Sequence, residues 1–117
     1  MTQLDRISGF LGNGMLSAEA FKGWLFLRDL DQEVGIARDP YSCPLSRWLE
    51  HLGAQQTEVT LENIAFLYHG QPFSMPTPAW TATFIHAVDE LADSGVWLIS
   101  ARQALAIIET LLLAQAA

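Results

Sequence analysis

The chain contains one cysteine, Cys43, which stands directly before Pro44 and four residues before Arg47. The residue before a proline is disfavoured in the helical conformation, whereas proline itself suits the first position of a helix. We therefore expect Cys43 at the N-cap of a helix, where free backbone N–H groups and the helix dipole favour a thiolate. Arg47, one turn further along, would add a positive charge, so Cys43 and Arg47 are the candidates for a catalytic or redox-sensing site.

A thiol nucleophile also needs a general base within hydrogen-bond distance. His51 belongs to the same predicted helix, but its position eight residues after Cys43 puts it about 12 Å away along the axis. His69 and His86 belong to other segments, and their distance from Cys43 does not follow from the sequence. Without a base, a structural cysteine at a helix start or in the core is the simpler interpretation.

A histidine and two acidic residues, His86, Asp89 and Glu90, occupy positions i, i+3 and i+4 of another predicted helix. This spacing can supply two ligands to a metal ion, but no third ligand of suitable spacing is present. The three side chains fall opposite the apolar stripe that contains Trp80 and Phe84, where solvated charges are expected. The sequence also lacks phosphate-binding, serine-hydrolase and zinc-peptidase motifs. We therefore predict no metal site and no cofactor.

The composition is unusually apolar. Hydrophobic residues make up 50% of the 117 residues and charged residues only 16%, against about 25% charged residues in ordinary domains. A small domain has much surface and little interior, so surplus apolar side chains must be exposed, and large exposed patches usually mark partner surfaces. A monomer with scattered exposed apolar residues is the alternative. The composition favours a protein partner, and we expect a second copy of the chain.

The formal net charge is −7, and the 6 basic residues are spread along the chain. Nucleic acids and anionic lipid surfaces are bound mainly through clustered Lys and Arg, so we expect neither nucleic acid nor a membrane as partner. The sequence lacks a signal peptide and an apolar run long enough to span a bilayer. Its single cysteine can form no internal disulfide. These features lead us to expect a cytoplasmic protein.

Five segments show the apolar spacing or the end signals of helices. Ser17 and Ser100 are the expected N-caps of the second and the fifth segment, and Gly53 ends the third. The predicted helices span residues 3–11, 16–34, 44–52, 78–92 and 101–115.

A β-rich segment separates the third and fourth helices. Its Val, Thr, Phe and Tyr content predicts strands at residues 58–61 and 64–68, with a third at 72–75, although a helix over 61–69 is an alternative. The predicted fold class is mainly α, with four or five helices around one core and a small two- or three-stranded β element, or α+β by a strict count. Residues 1–117 are expected to form a single helical domain with a short β insertion near residues 57–75.

Three apolar residues are candidates for binding a partner. Phe26 falls among charged residues on a helical wheel, and Leu113 falls with Arg102 and Glu109 on the polar side of the last helix. Trp97 directly precedes that helix, and tryptophan is enriched at interface hot spots. Ordinary packing is the alternative for each of them.

These observations lead to three hypotheses. The first is a non-catalytic, small acidic protein-interaction module that self-associates through apolar helix faces. The second is a thiol-dependent enzyme or redox sensor that uses Cys43. The third is a small-molecule-binding domain with a pocket lined by Trp24, Trp48 or Trp80.

Overall fold

A computed structural model describes residues 16–116 of the chain, with side chains up to residue 115. The predicted helix over residues 3–11 lies outside this part. The described residues form four helices and five strands. In chain order these are α1 (Ala18–Phe26), β1 (Glu33–Ile36), α2 (Pro44–His51), β2 (Gln55–Val59), β3 (Asn63–Tyr68), β4 (Gln71–Pro76), α3 (Ala79–Asp93), β5 (Leu98–Ser100) and α4 (Ala101–Ala116).

The mainly α fold class predicted from the sequence is wrong, because the described residues form an α+β fold with two antiparallel sheets. One sheet pairs β1 with β5, and the other has the order β2-β3-β4. Strand β1 begins at Glu33, within the last two residues of the segment predicted as a helix up to residue 34, and β5 has only three residues. Such short strands carry too few residues to show a period of two.

Helix α1 begins where it was predicted but ends earlier. The Ser17 hydroxyl accepts a hydrogen bond from the Ala20 N–H at 3.0 Å, which confirms the N-cap. The helix ends at Phe26, and Gln32 N–H then donates to Asp29 C=O in a tight turn that leads into β1. No glycine or proline marks this end, so the sequence contains none of the usual stop signals.

The other three helices agree with the prediction to within one residue at either end. Helix α4 begins with a capping box, in which the Ser100 hydroxyl accepts from Gln103 N–H and the Gln103 side chain accepts from Ser100 N–H. Among residues 16–116, no helix combines the length and the apolar character that crossing a bilayer requires.

The three-stranded sheet confirms the predicted β segment, and the alternative helix over residues 61–69 is wrong. Strands β3 and β4 are joined by His69 and Gly70, whose φ values of 52° and 77° suit a two-residue hairpin turn. The register pairs Tyr68 with Gln71 and places Pro72 and Pro76 at positions whose backbone nitrogen points away from β3. The prolines therefore remove hydrogen-bond donors from the outer edge of β4, which protects this edge from pairing with another strand.

An aromatic cluster around Phe21 forms the centre of the core. The Phe21 ring meets Phe84 edge-on with 4.9 Å between centroids, and its centroid lies 5.2 Å from that of Trp48 and 5.9 Å from that of Trp80. Phe21, Trp48 and Phe84 are fully buried. The cluster joins α1, α2 and α3, while Ile99 of β5 and the inner side of α4 complete the core.

Candidate interaction surface

Cys43 lies at the N-cap of α2 and Pro44 at its first position, as predicted. The sulfur is 3.4 Å from the Ser46 hydroxyl, which donates a hydrogen bond to the Pro40 carbonyl. The residue is buried, and this burial raises the pKa of the Cys43 thiol, which outweighs the opposing effect of the hydrogen bond with Ser46. Desolvation therefore dominates over the helix end, and the neutral thiol is favoured.

Arg47 does not support the thiol. Its guanidinium Nη1 lies 2.7 Å from the Glu33 carboxylate, so α2 is tied to β1 by an ion pair. Cys43 lines a cavity of about 200 Å³ together with Arg38, Asp39 and Asp89, and no histidine lines this cavity among the residues described. Among the described residues, neither Arg47 nor a histidine lines the cavity beside the sulfur, so the arrangement expected for a thiol-dependent enzyme is not formed there.

The residues considered for metal binding are engaged in other contacts. His86 Nε2 lies 3.0 Å from a Glu90 carboxylate oxygen, one helical turn away. Asp89 instead accepts a hydrogen bond from the Arg38 backbone N–H at 3.1 Å. Within residues 16–116, no group of three His, Cys, Asp or Glu side chains is arranged to hold a metal ion.

The three tryptophans proposed as pocket walls belong to the core or its border. Trp48 is buried against Phe21, and Trp80 packs on the same ring while its Nε1–H donates to the Leu16 carbonyl at 3.2 Å. Trp24 lies at the border of the core, with the Arg28 guanidinium 5.6 Å from its ring. None of the three lines either of the two cavities described for residues 16–115, so the structure does not support the proposed tryptophan-lined pocket.

Most of the exposed large apolar side chains of the described part belong to two segments, the end of α1 with the turn after it and the residues at the start of β5. Eight such side chains occur in the described part, and five of them, which we call the apolar end, are between 46% and 77% exposed. The apolar end comprises Phe26, Leu27, Leu30, Trp97 and Leu98. Such a concentration of exposed apolar side chains typically marks a binding surface.

Backbone hydrogen bonds hold the two parts of the apolar end beside the start of α4. Arg102 N–H donates to the Leu30 carbonyl and Ala101 N–H donates to the Gln32 carbonyl, both at 2.9 Å. Leu98 precedes Arg102 by only four residues, or about 13 Å of extended chain. The turn after α1 and the strand β5 therefore lie beside the same helix N-terminus.

Two ion pairs border the apolar end. The Arg102 guanidinium lies 3.4 Å from Asp31, and Arg38 forms an ion pair with Asp93 while its guanidinium lies 5.9 Å from the Trp97 ring. Each part of the apolar end is thus bordered by an arginine with an acidic partner. Arginine and large aromatic residues are enriched at protein–protein interfaces, which fits this arrangement.

Two of the three predicted partner-binding residues, Phe26 and Trp97, belong to the apolar end. Leu113 is 73% exposed but lies eleven residues beyond Arg102 on α4, about 16 Å along the helix. It neighbours a different feature, which we call the α3–α4 groove. This groove has a volume of about 470 Å³ and no charged residue in its lining, which consists of Thr83, Ala87, Ala106, Ile107, Thr110, Leu111 and Ala114.

Sequence reasoning missed Leu27, Leu30 and Leu98. Leu27 and Leu30 fell inside the helix predicted over residues 16–34, where one apolar residue in each turn is expected to be buried. Leu98 alternates with the fully buried Ile99, a signal that becomes visible only once β5 is recognised as a strand.

Comparisons of the chain with protein-family models, with curated proteins and with solved structures found no match. The geometry of the apolar end and of the α3–α4 groove is therefore the basis for a functional conclusion.

Proposed function

We propose that the protein is a non-catalytic interaction module that self-associates through the apolar end. The observation that carries this proposal is the exposure, to at least 46%, of five large apolar side chains on two segments that lie beside the start of α4: Phe26, Leu27, Leu30, Trp97 and Leu98. Burial of apolar surface is the main driving force of protein association. Two copies that meet at this end remove from water the side chains that one copy leaves exposed.

A second copy suits the charges of this surface. In a two-fold symmetric contact the same patch meets itself, so each residue faces the partner's version of the patch. The Arg102–Asp31 pair and the Arg38–Asp93 pair give each patch both signs of charge, so an arginine of one copy can face an acidic residue of the other. The net charge of −7 opposes association at long range, and salt screens this repulsion.

The proposal is tested by sedimentation velocity of the full chain over a concentration series up to about 500 μM. We expect a concentration-dependent dimer, and we expect Leu27→Glu and Leu98→Glu each to weaken the dimer at least about tenfold because each buries an unpaired charge in the contact. The dimer should tighten when the NaCl concentration rises from about 50 mM to 500 mM, since screening reduces the repulsion between acidic copies.

Leu61→Glu is the matched control, because Leu61 is 49% exposed in the β2–β3 turn, outside the apolar end. This variant should dimerise like the unaltered chain. A chain that stays monomeric throughout the concentration series contradicts the proposal. Equal weakening by Leu27→Glu and Leu61→Glu contradicts the assignment of the contact to the apolar end.

A further inference from the structure

The cavity of about 200 Å³ that Cys43 lines, which we call the Cys43 cavity, has walls from three parts of the fold. These are the loop that leads into α2, the end of β2 with the turn after it, and α3. A cavity of about 150 Å³ can hold a benzene molecule, so the Cys43 cavity has room for a six-membered ring with one or two further atoms. The chemistry of its walls therefore indicates which kind of molecule it would bind.

Two carboxylates line the Cys43 cavity, and one oxygen of each is engaged with the backbone. Asp89 Oδ1 accepts a hydrogen bond from Arg38 N–H at 3.1 Å, and Asp39 Oδ1 accepts one from Tyr41 N–H at 2.9 Å. Because Asp39 directly follows Arg38, the bond to Asp89 brings both acidic residues to the same side of the cavity. Within residues 16–115, no group donates a hydrogen bond to the second oxygen of either carboxylate. Both oxygens can therefore accept from a bound molecule.

The charge at this side of the cavity is negative. Arg38 is the only basic residue of the described lining, and its guanidinium forms an ion pair with Asp93. Three carboxylates, those of Asp39, Asp89 and Asp93, against one guanidinium leave a net charge of −2. A cavity lined by one sign of charge attracts ions of the opposite sign. The walls therefore favour a cation.

The backbone of Arg38 is held in an unusual conformation beside the cavity. Its φ of 61° lies in the left-handed region, which residues with a side chain rarely adopt. Such conformations persist where surrounding contacts hold them, and they concentrate at binding sites. Here the backbone N–H is bonded to Asp89, while the guanidinium is paired with Asp93 and lies 5.9 Å from the Trp97 ring. These contacts fix one edge of the cavity before any molecule binds.

We propose that the Cys43 cavity binds a small organic cation, an ammonium group attached to a ring or a short apolar chain. The ammonium group donates charge-assisted hydrogen bonds to Asp39 and Asp89. The apolar part of the molecule lies against Val59, Leu61 and Ile85, which also line the cavity. Apolar walls with a few polar groups are typical of small-molecule sites.

An organic cation fits these walls better than a metal ion does. Within residues 16–116, no group of three His, Cys, Asp or Glu side chains is arranged to hold a metal ion, and apolar walls supply no ligands. The proposed site also differs from the tryptophan-lined pocket considered from the sequence, because no tryptophan lines it among the residues described. It does not depend on self-association, since no residue of the apolar end lines the cavity.

Titration of the full chain with benzylamine, followed by calorimetry at pH 7, tests the proposal. Benzylamine is a cation of suitable size, and benzyl alcohol is its neutral counterpart of equal size. We expect benzylamine to bind with a Kd of about 1 mM or tighter. Benzyl alcohol should bind at least about tenfold more weakly, because it cannot form the charge-assisted hydrogen bonds. Equal affinity for the two compounds, or no binding of benzylamine up to about 10 mM, overturns the proposal.

Two substitutions that preserve the existing hydrogen bonds assign the binding to the carboxylates. Asp39→Asn and Asp89→Asn each remove a charge but keep an oxygen that can accept from the same backbone N–H. We expect each to weaken benzylamine binding at least about fivefold. Glu109→Gln is the matched control, because it removes one charge outside the lining of the cavity and should leave the Kd unchanged. Equal weakening by all three variants would mean that the net charge of the chain alone attracts the amine, which contradicts the site.

A second measurement locates the bound amine without any substitution in the cavity. In two-dimensional NMR spectra of the backbone amides, benzylamine should shift the signals of Arg38, Asp39, Thr60 and Leu61. Shifts confined to the lining of the α3–α4 groove or to the apolar end contradict the assignment.

The response to salt separates this site from self-association. Benzylamine binding should weaken about two- to fivefold when the NaCl concentration rises from about 50 mM to 500 mM, whereas the proposed dimer should tighten. Leu98→Glu, which is designed to disrupt the dimer, should bind benzylamine with the Kd of the unaltered chain. Loss of benzylamine binding in Leu98→Glu would contradict a site that each copy forms alone.

Discussion

The aromatic core and the apolar end use the same kinds of side chain for opposite purposes. Phe21 and Phe26 both belong to α1, yet Phe21 is 0% exposed and Phe26 is 71% exposed. Five residues turn a helix by about 140° from one to the other. Phe21 is surrounded by rings from α2 and α3, whereas Phe26 ends the helix beside a solvent-exposed turn. The difference shows that apolar character alone does not indicate burial, and that position within the fold decides whether a ring stabilises the monomer or remains free to bind.

The two sheets show the same division. The outer edge of β4 carries Pro72 and Pro76, which cannot donate hydrogen bonds to an incoming strand. Strand β5 has no proline and presents Leu98 at 64% exposure. The outer edge of β4 is therefore protected against pairing with another strand, whereas β5 exposes an apolar side chain. This difference is consistent with an apolar end that binds a partner.

The largest effect that separates the two regions is expected from truncating the two phenylalanines. Phe21→Ala should lower the free energy of unfolding by about 3–5 kcal/mol, because it leaves a cavity amid four aromatic rings. Phe26→Ala should change the stability of the monomer by no more than about 0.5 kcal/mol. Urea unfolding at low protein concentration, where dimers are not populated, measures both values. Similar losses for the two variants would show that Phe26 is packed and that the division between the regions is wrong.

A pair of glycines provides the next test of this division. A Cβ atom on Gly35 in β1 would lie 2.3 Å from the Pro44 nitrogen, while one on Gly23, a turn before Phe26, would meet nothing within 4 Å. Gly35→Ala should cost at least about 1–3 kcal/mol because the clash is with backbone. Gly23→Ala should stabilise the chain by about 0.5–1 kcal/mol, since alanine is the better residue inside a helix.

Thermal or urea unfolding of both variants supplies the measurement, with the unaltered chain as reference. A stable Gly35→Ala variant would mean that β1 does not pack tightly on the start of α2. A destabilised Gly23→Ala variant would mean that the outer side of α1 is covered, contrary to the exposure of the apolar end.

Local patterns in the sequence predicted the start of α1, the helices α2, α3 and α4, and the three-stranded sheet. The caps Ser17 and Ser100 act through residues three positions away, and the β3–β4 hairpin closes through His69 and Gly70, so each can be recognised within a few residues of chain. The pairing of β1 with β5 joins Glu33 to Ser100, which are far apart in the sequence. Four- and three-residue strands gain their stability from that distant contact, and no local pattern records it.

The residues of the candidate sites also differ in whether neighbouring residues or distant elements determine their contacts. The position of Cys43 at a helix N-cap followed from Pro44 alone. The contact between Arg47 and Glu33, which draws the arginine away from the thiol, depends on how β1 packs against α2. Phe26 was recognised because a helical wheel is local, whereas Leu98 required knowledge of the strand. What the sequence could not supply were the contacts between elements distant in the chain.

The smallest expected effect concerns Cys43. It measures how well the interior beside the cavity of about 200 Å³ excludes water from the thiol. Burial raises the pKa of the folded thiol above its ordinary value of about 8.5. Above that pH the unfolded chain loses a proton that the folded chain retains, so the free energy of unfolding falls as the pH rises towards the folded pKa. Urea unfolding between about pH 7.5 and 9.5 should therefore show that the free energy of unfolding declines with rising pH, and that this decline is weaker in Cys43→Ala.

The pKa of Tyr41, raised by its hydrogen bond with Glu58, affects both proteins alike and cancels in the comparison. Parallel pH profiles, or rapid alkylation of the folded thiol below pH 8, would show that water reaches the sulfur and would restore the hypothesis of a reactive thiol.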